Sequence, residues 1–284
     1  MLVVGASGLV GSNVVRRAPD RLNVTGTYYS TPSETASYRL DKTDEEAVRS
    51  LLRNYQPDAV IDTAAMTDVD DCESSREAAW EINAEGTRAV ASAADAVDAH
   101  YVGLSTDYVF RGDPEVAPYV EDDPVGPDGY YARTKYAGEV AARLGDRWTI
   151  LRPSVVYGTA SDNFLTWAID ELDAGRTVSI VEDQVSSPTY APDLADACLA
   201  VVESETTGLY HTAGPVHCSR YEFTRKLARV MDFDPALVDP ISTEELGQEA
   251  PRPADASLDS SRFADDVGTV FRPPTEAFED ALQQ

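Results

Sequence analysis

Three glycines within the first eleven residues constrain this chain more than anything else in it. Gly5, Gly8 and Gly11 follow the short apolar run 2–4 and lead into 11–16, a segment with helical patterning. A strand that turns through glycines into a helix lets the backbone approach a ligand closely. It also aims the free N–H groups and the positive dipole end of the helix at that ligand, which suits a pyrophosphate. Glycines at this spacing also serve tight turns, but their place between strand and helix near the start of the chain favours a dinucleotide site.

The rest of the chain repeats that local unit. Strand-like runs at 2–4, 23–28, 59–62, 100–105 and 149–152 alternate with helical patterns at 11–16, 45–55, 77–94 and 131–144. Such alternation predicts an α/β fold, a doubly wound Rossmann-type parallel sheet with a smaller C-terminal α/β lobe. After residue 152 the rhythm breaks. Helices are expected at 163–174, 193–203 and 221–230, strands at 178–181 and 209–212, and loop with short helical pieces at 234–256, which is rich in Pro, Glu and Asp. The expected division is a dinucleotide-binding domain at 1–152, taking elements back from 189–213, and a substrate lobe at 153–284.

Charge narrows the partners. Fifty acidic residues against 23 basic ones give a net charge of −27. That surface repels nucleic acid and anionic lipid, so neither is expected as a partner. Only Lys42, Lys135 and Lys226 are lysines; the other basic residues are arginines. Excess carboxylate with little lysine suits a protein working in molar salt, where a Debye length of about 3 Å screens self-repulsion. No apolar run approaches the roughly 18 residues of a membrane span, and no basic segment precedes the first apolar stretch. Cys72, Cys198 and Cys218 lie far apart, and the histidines lack metal-ligand spacing. The expectation is a cytoplasmic protein with neither disulfides nor a metal.

Two further clusters carry chemistry. Tyr131 and Lys135 stand four apart at the start of a predicted helix and so share a face. A cation beside a phenol favours its ionised form and would lower its pKa from about 10 towards the working pH, making Tyr131 a usable proton donor. Upstream, a predicted strand ends in Ser105, Thr106, Asp107, Tyr108, Val109 and Phe110. Polar groups at the carboxyl end of a parallel strand face the ligand crevice, where a hydroxyl can polarise a carbonyl. Near the end of the second strand, Thr27 to Thr31 include neither an acid to hold a ribose 2′-hydroxyl nor an arginine for a 2′-phosphate. NADPH or NADH is the cofactor expected, with NADPH used at least as well.

The order of these elements, the GxxGxxG spacing and the runs at 64–70, 82–84, 105–110, 131–139 and 152–158 resemble the dTDP-4-dehydrorhamnose reductase family of extended short-chain dehydrogenases. Asp183 with Gln184, Pro188 with Thr189, Arg252 with Pro253, and Ser257 with Asp259 extend the resemblance to about Phe263. It implies reduction of the 4-keto group of a nucleotide-linked deoxysugar, most directly dTDP-4-dehydro-L-rhamnose. It also implies a catalytic set of Thr106, Tyr131 and Lys135. Gly5, Gly8, Leu9, Val10 and Gly11 would serve the pyrophosphate, Asp41 and Lys42 the adenine side, and Ala64, Ala65, Met66 and Thr67 the nicotinamide side, with Tyr131 and Lys135. Thr106, Asp107, Tyr108 and Val155 would meet the sugar. Val155 stands where the family's RxSW motif has tryptophan, which removes an aromatic wall. A homodimer is left open.

Two other readings share the scaffold. A cofactor-binding regulatory subunit would keep the fold without turnover, and retention of Thr106, Tyr131 and Lys135 together weighs against it. A nucleotide-sugar epimerase or dehydratase would also fit the fold. Asp107 occupies the kind of position where a dehydratase places an acid, but the following Tyr108, Val109 and Phe110 match the reductase.

Overall fold

The computed structural model describes residues 1–282, so the last two residues of the predicted 153–284 lobe lie outside it. Thirteen strands run in chain order: β1 Leu2–Val4, β2 Thr25–Tyr28, β3 Tyr38–Arg39, β4 Ala59–Asp62, β5 His100–Leu104, β6 Trp148–Arg152, β7 Val156–Tyr157, β8 Val178–Val181, β9 Val185–Ser186, β10 Thr189–Tyr190, β11 Gly208–His211, β12 Cys218–Ser219 and β13 Val238–Ile241. Seven of them form one parallel sheet in the order β11-β6-β5-β4-β1-β2-β3. The order reverses beside β1, which creates the crevice that doubly wound sheets use for ligands.

The central strands are apolar on both faces because helices cover both. Leu2, Val4, Val60, Tyr101 and Ile150 pack on one side with Val48, Leu52 and Val90. Val3, Ile61, Val102 and Leu151 face the other side, with Val14, Ala195, Cys198, Tyr210 and Phe263. Three residues suffice for β1, which is fully paired between β2 and β4. The helix Ala191–Ser204 packs against the helix Leu9–Arg17, where Arg17 binds both Asp196 oxygens at 2.7 and 2.5 Å. Among the described residues no helix is long and apolar enough to cross a membrane.

Several expected boundaries shift. The helix expected at 77–94 is instead Val69–Ser74, Arg76–Trp80, a π-helical turn Glu81–Gly86 and Thr87–Asp95. The helix expected from residue 11 starts at Leu9, because Gly8 is already its N-cap. The stretch 234–256, expected as loop with short helical pieces, has those pieces at Pro235–Leu237 and Thr243–Leu246 but also contributes β13, which pairs in parallel with β8. β3 has no strand-like apolar run, since both of its residues are exposed, and it owes its existence to pairing with the edge of β2.

The smaller cluster built from Tyr157, Leu165, Tyr190, Phe223, Leu227 and Phe278 forms a second core beyond β6. Charge follows the sequence reading: Lys42 and Lys135 are buried and Lys226 is partly buried, so no lysine is exposed. All three cysteines are free and buried.

Candidate active site

The glycine loop is shaped by close contact. Gly5 has φ +82°, and a Cβ there would lie 2.9 Å from the Ala64 nitrogen. At Gly11 a Cβ would lie 2.4 Å from the Gly5 carbonyl oxygen and 2.7 Å from Thr63 Oγ1. These two glycines therefore hold the loop's shape, while Gly8, Leu9 and Val10 face a cavity of about 450 Å³. The helix that begins there has no side-chain cap and no acid in its first turn. Its positive end is left to the cavity, which fits a dinucleotide pyrophosphate.

Thr106, Asp107, Tyr108, Tyr131, Lys135 and Val155 line the same cavity, with Ala65 and Thr67. The fold thus brings the end of β5, the glycine loop and the Tyr131/Lys135 face together, as the sequence predicts. Ala64, Met66, Asp41 and Lys42 do not line it. Met66 packs with Cys72, Ala79 and Tyr131, and Asp41 folds back on Thr43. The Lys42 ammonium is buried on Asp62 Oδ2 at 2.6 Å, the Ala64 carbonyl at 2.8 Å and Thr87 Oγ1 at 3.2 Å. The expected adenine-side role of the Lys42 side chain is therefore corrected: its charge is spent inside the protein, bracing β4 and the 64–67 loop.

The helix Tyr130–Ala142 is fixed at several points. Its N-cap Gly129 offers no side chain, and Glu73 takes over by accepting from the Tyr130 N–H at 2.5 Å. That bond, with Arg76 nearby, holds the Glu73 carboxyl below its usual range. Asn83, in the π-helical turn, accepts from the Met66 N–H at 2.9 Å and donates to the Met66 carbonyl at 2.9 Å and Thr134 Oγ1 at 3.1 Å. One side chain so ties the cofactor-side loop to the catalytic helix, and π turns recur at such places. Gly138 permits the approach, since a Cβ there would lie 2.3 Å from the Asn83 carbonyl oxygen. Buried Glu139 accepts from Arg152 at 3.0 and 2.7 Å and so joins the helix to the end of β6.

The electrostatics correct one expectation. Burial raises the Tyr131 pKa above its ordinary value, with the nearby Thr106 hydroxyl as a smaller opposing influence. The Lys135 ammonium donates to the Leu104 carbonyl at 2.7 Å, and burial outweighs whatever its charge does to the phenol. Tyr131 is thereby kept protonated, the state a proton donor needs. Lys135 is itself lowered to about 8, by burial first and then by the Lys42 charge. Thr106 Oγ1 donates to Asp107 Oδ1 at 3.0 Å and accepts from the Tyr108 N–H at 3.2 Å. Asp107 also accepts from Ser154 Oγ at 2.6 Å, yet burial pushes its pKa up to about 6.

Beyond this set, Val155 has φ +41°, an uncommon conformation for a β-branched residue that costs on the order of 1–3 kcal/mol. Thr189 imposes it: its N–H donates to the Val155 carbonyl at 3.1 Å and its hydroxyl to the Ser154 carbonyl at 2.7 Å.

Two arginines escaped the sequence reading. Arg39 is eleven residues beyond Tyr28 in sequence, but the β2–β3 register sets them side by side, and Arg39 Nε donates to the Tyr29 carbonyl at 3.2 Å. A strand end without an arginine in its own sequence thus acquires one by pairing. Arg220 lines the cavity from the first turn of the helix Arg220–Val230. Its one local mark is its place directly after Ser219, which caps that helix.

A dinucleotide cradle beside a hydroxyl, a phenol and an ammonium at the carboxyl edge of a doubly wound sheet defines an NAD(P)-dependent oxidoreductase. The chain belongs to the family described as RmlD substrate binding domain, whose model matches residues 1–284. It is 36% identical over 286 residues to a dTDP-4-dehydrorhamnose reductase of Mycolicibacterium smegmatis, covering 99% of this chain and 84% of that one. It is 34% identical over 275 residues to a probable low-salt glycan biosynthesis reductase of Haloferax volcanii, covering 94% and 91%. Among solved structures, a Bacillus anthracis dTDP-4-dehydrorhamnose reductase in complex with NADP superposes with a TM-score of 0.92 at 30% identity, covering 99% of this chain and 98% of that one.

Proposed function

We propose that this protein reduces the C4 keto group of a dTDP-linked deoxysugar with NADPH, dTDP-4-dehydro-L-rhamnose being the first substrate to test. The carrying observation is that Thr106, Tyr131 and Lys135 share one cavity with the uncapped helix end at Gly8. The nicotinamide supplies the hydride. Gly8, Leu9 and Val10 hold the pyrophosphate by backbone N–H groups and helix dipole, and Ala65 and Thr67 border the nicotinamide end. Tyr131, kept protonated by burial, gives its proton to the keto oxygen as the carbonyl carbon is reduced. Thr106 steadies the developing oxyanion when its hydroxyl turns from Asp107 to the substrate. Lys135 supplies positive charge on the cofactor side. Arg39, presented beside the end of β2, meets a 2′-phosphate and so favours NADPH.

In this reading residues 1–152 with β11 bind the cofactor and the remainder of 153–284 closes over the sugar. Free buried cysteines support a reducing cytoplasm. A homodimer stays a proposal for sedimentation to test. The function is tested by mixing the protein, NADPH and dTDP-4-dehydro-L-rhamnose and following absorbance loss together with the sugar product. Oxidation of NADPH matched by a 4-hydroxy sugar nucleotide is expected. Product formation without net NADPH consumption would instead assign an epimerase or dehydratase.

A further inference from the structure

Arg220 is the feature of the cavity that the catalytic scheme leaves unused. Its guanidinium lies 5.1 Å from the Phe164 ring centroid, and its charge acts on the Tyr108 phenol, opposing the rise that burial gives it. Among the described residues it enters no ion pair, unlike the arginines that bind surface carboxylates on this acidic chain. Lys135 and Arg220 are the two cations on the cavity wall, and the Lys135 ammonium is committed to the Leu104 carbonyl. Arg220 also borders, with Val155 and Tyr108, a small second pocket lined by Gln184 and Pro253.

The geometry points to Arg220 as the residue that holds the diphosphate of the nucleotide-sugar, an assignment that rests on the reductase reading above. C1 and C4 lie opposite each other across a pyranose ring. A sugar whose C4 oxygen meets Tyr131 and Thr106 therefore directs its C1 phosphate away from them, and Arg220 is the cation lining the cavity that no backbone carbonyl holds. A small Val155 side chain leaves the cavity wall open. The planar guanidinium is suited to two phosphate oxygens at once, which a lysine ammonium is not. A cation inside the cavity also offsets at short range the repulsion that a net charge of −27 exerts on an entering dianion. The Phe164 ring faces the guanidinium, a contact that helps hold the group in place before the ligand arrives.

The test uses dTDP and thymidine as probes, titrated calorimetrically into the full chain, Arg220→Gln and Arg220→Lys in molar KCl, with NADPH binding measured on each as a check of folding. The expected result is a loss of dTDP affinity of roughly tenfold or more in Arg220→Gln, partial recovery in Arg220→Lys, and equal thymidine affinity throughout. In turnover, Arg220→Gln should raise KM for the sugar nucleotide more than it lowers kcat, with KM for NADPH unchanged. Equal dTDP affinity of wild type and Arg220→Gln, or no dTDP binding by wild type, would overturn the assignment even if the keto sugar is reduced. Arg220-dependent dTDP binding without reduction of a 4-keto sugar would uphold the anion site and sink the reductase reading instead.

Discussion

Thr106 and Asp107 compete for one proton: the threonine hydroxyl donates to the aspartate at 3.0 Å, whereas carbonyl reduction needs that hydroxyl turned to the substrate. With burial holding the Asp107 pKa at about 6, the carboxylate claims the hydroxyl at neutral pH and releases it once protonated. Reduction should therefore quicken as pH falls through about 6. It should also fade above about 8, where Lys135 loses its charge. A pH series of kcat/KM checks both steps, and Asp107→Asn should abolish the one near 6 while leaving the alkaline one. Persistence of the lower step in Asp107→Asn would assign it to another group.

Arg39 should set the choice of cofactor. Arg39→Ala is expected to lower kcat/KM for NADPH roughly tenfold, the usual scale for a lost charge-assisted contact, with little effect on NADH. The ratio of the two kcat/KM values is the measurement. An unchanged ratio would mean that the 2′-phosphate is recognised elsewhere.

Lys42 carries a structural burden. Lys42→Met would leave Asp62 buried without its cation, a change that costs about 3–5 kcal/mol in comparable pairs. Denaturant unfolding should show that loss. A Lys42→Met, Asp62→Leu double variant should recover much of it, because an apolar pair of similar volume needs no compensation. Failure of the double variant to recover would place the importance of Lys42 in its bonds to the Ala64 carbonyl and Thr87.

The legible part of this protein is the part written in local pattern. Glycine spacing, the four-residue interval from Tyr131 to Lys135 and the polar end of β5 are properties of short segments, so they predict the cavity that the fold assembles. What was not legible depends on pairing across distance. Arg39 reaches the end of β2 only through the register of a two-residue edge strand, and Asn83, marked in sequence only by the resemblance of the run 82–84, ties Met66 to Thr134 from a π turn. The Tyr131 expectation reversed for a related reason. Spacing reports that a cation shares a helix face, but burial, which moves the phenol the other way, is a property of the whole packed site.

Salt should stabilise the fold. A net charge of −27 makes the compact state repel itself, and the arginine-for-lysine surface pairs only part of that charge. The Debye length falls from about 10 Å at 0.1 M to about 3 Å at 1 M, so most of the rise in Tm across a KCl series belongs in that range if screening dominates. Continued gain above it, larger for sulfate, would indicate strengthened apolar burial. A flat or falling Tm would refute the halophilic reading.

The central claim is that Tyr131 delivers the proton while the dinucleotide is held by other groups, and single-turnover reduction of dTDP-4-dehydro-L-rhamnose by NADPH tests it most directly in wild type and Tyr131→Phe. Loss of the phenol should slow the chemical step by roughly two orders of magnitude or more and leave NADPH affinity nearly unchanged. A Tyr131→Phe protein that turns over at close to the wild-type rate would contradict the account.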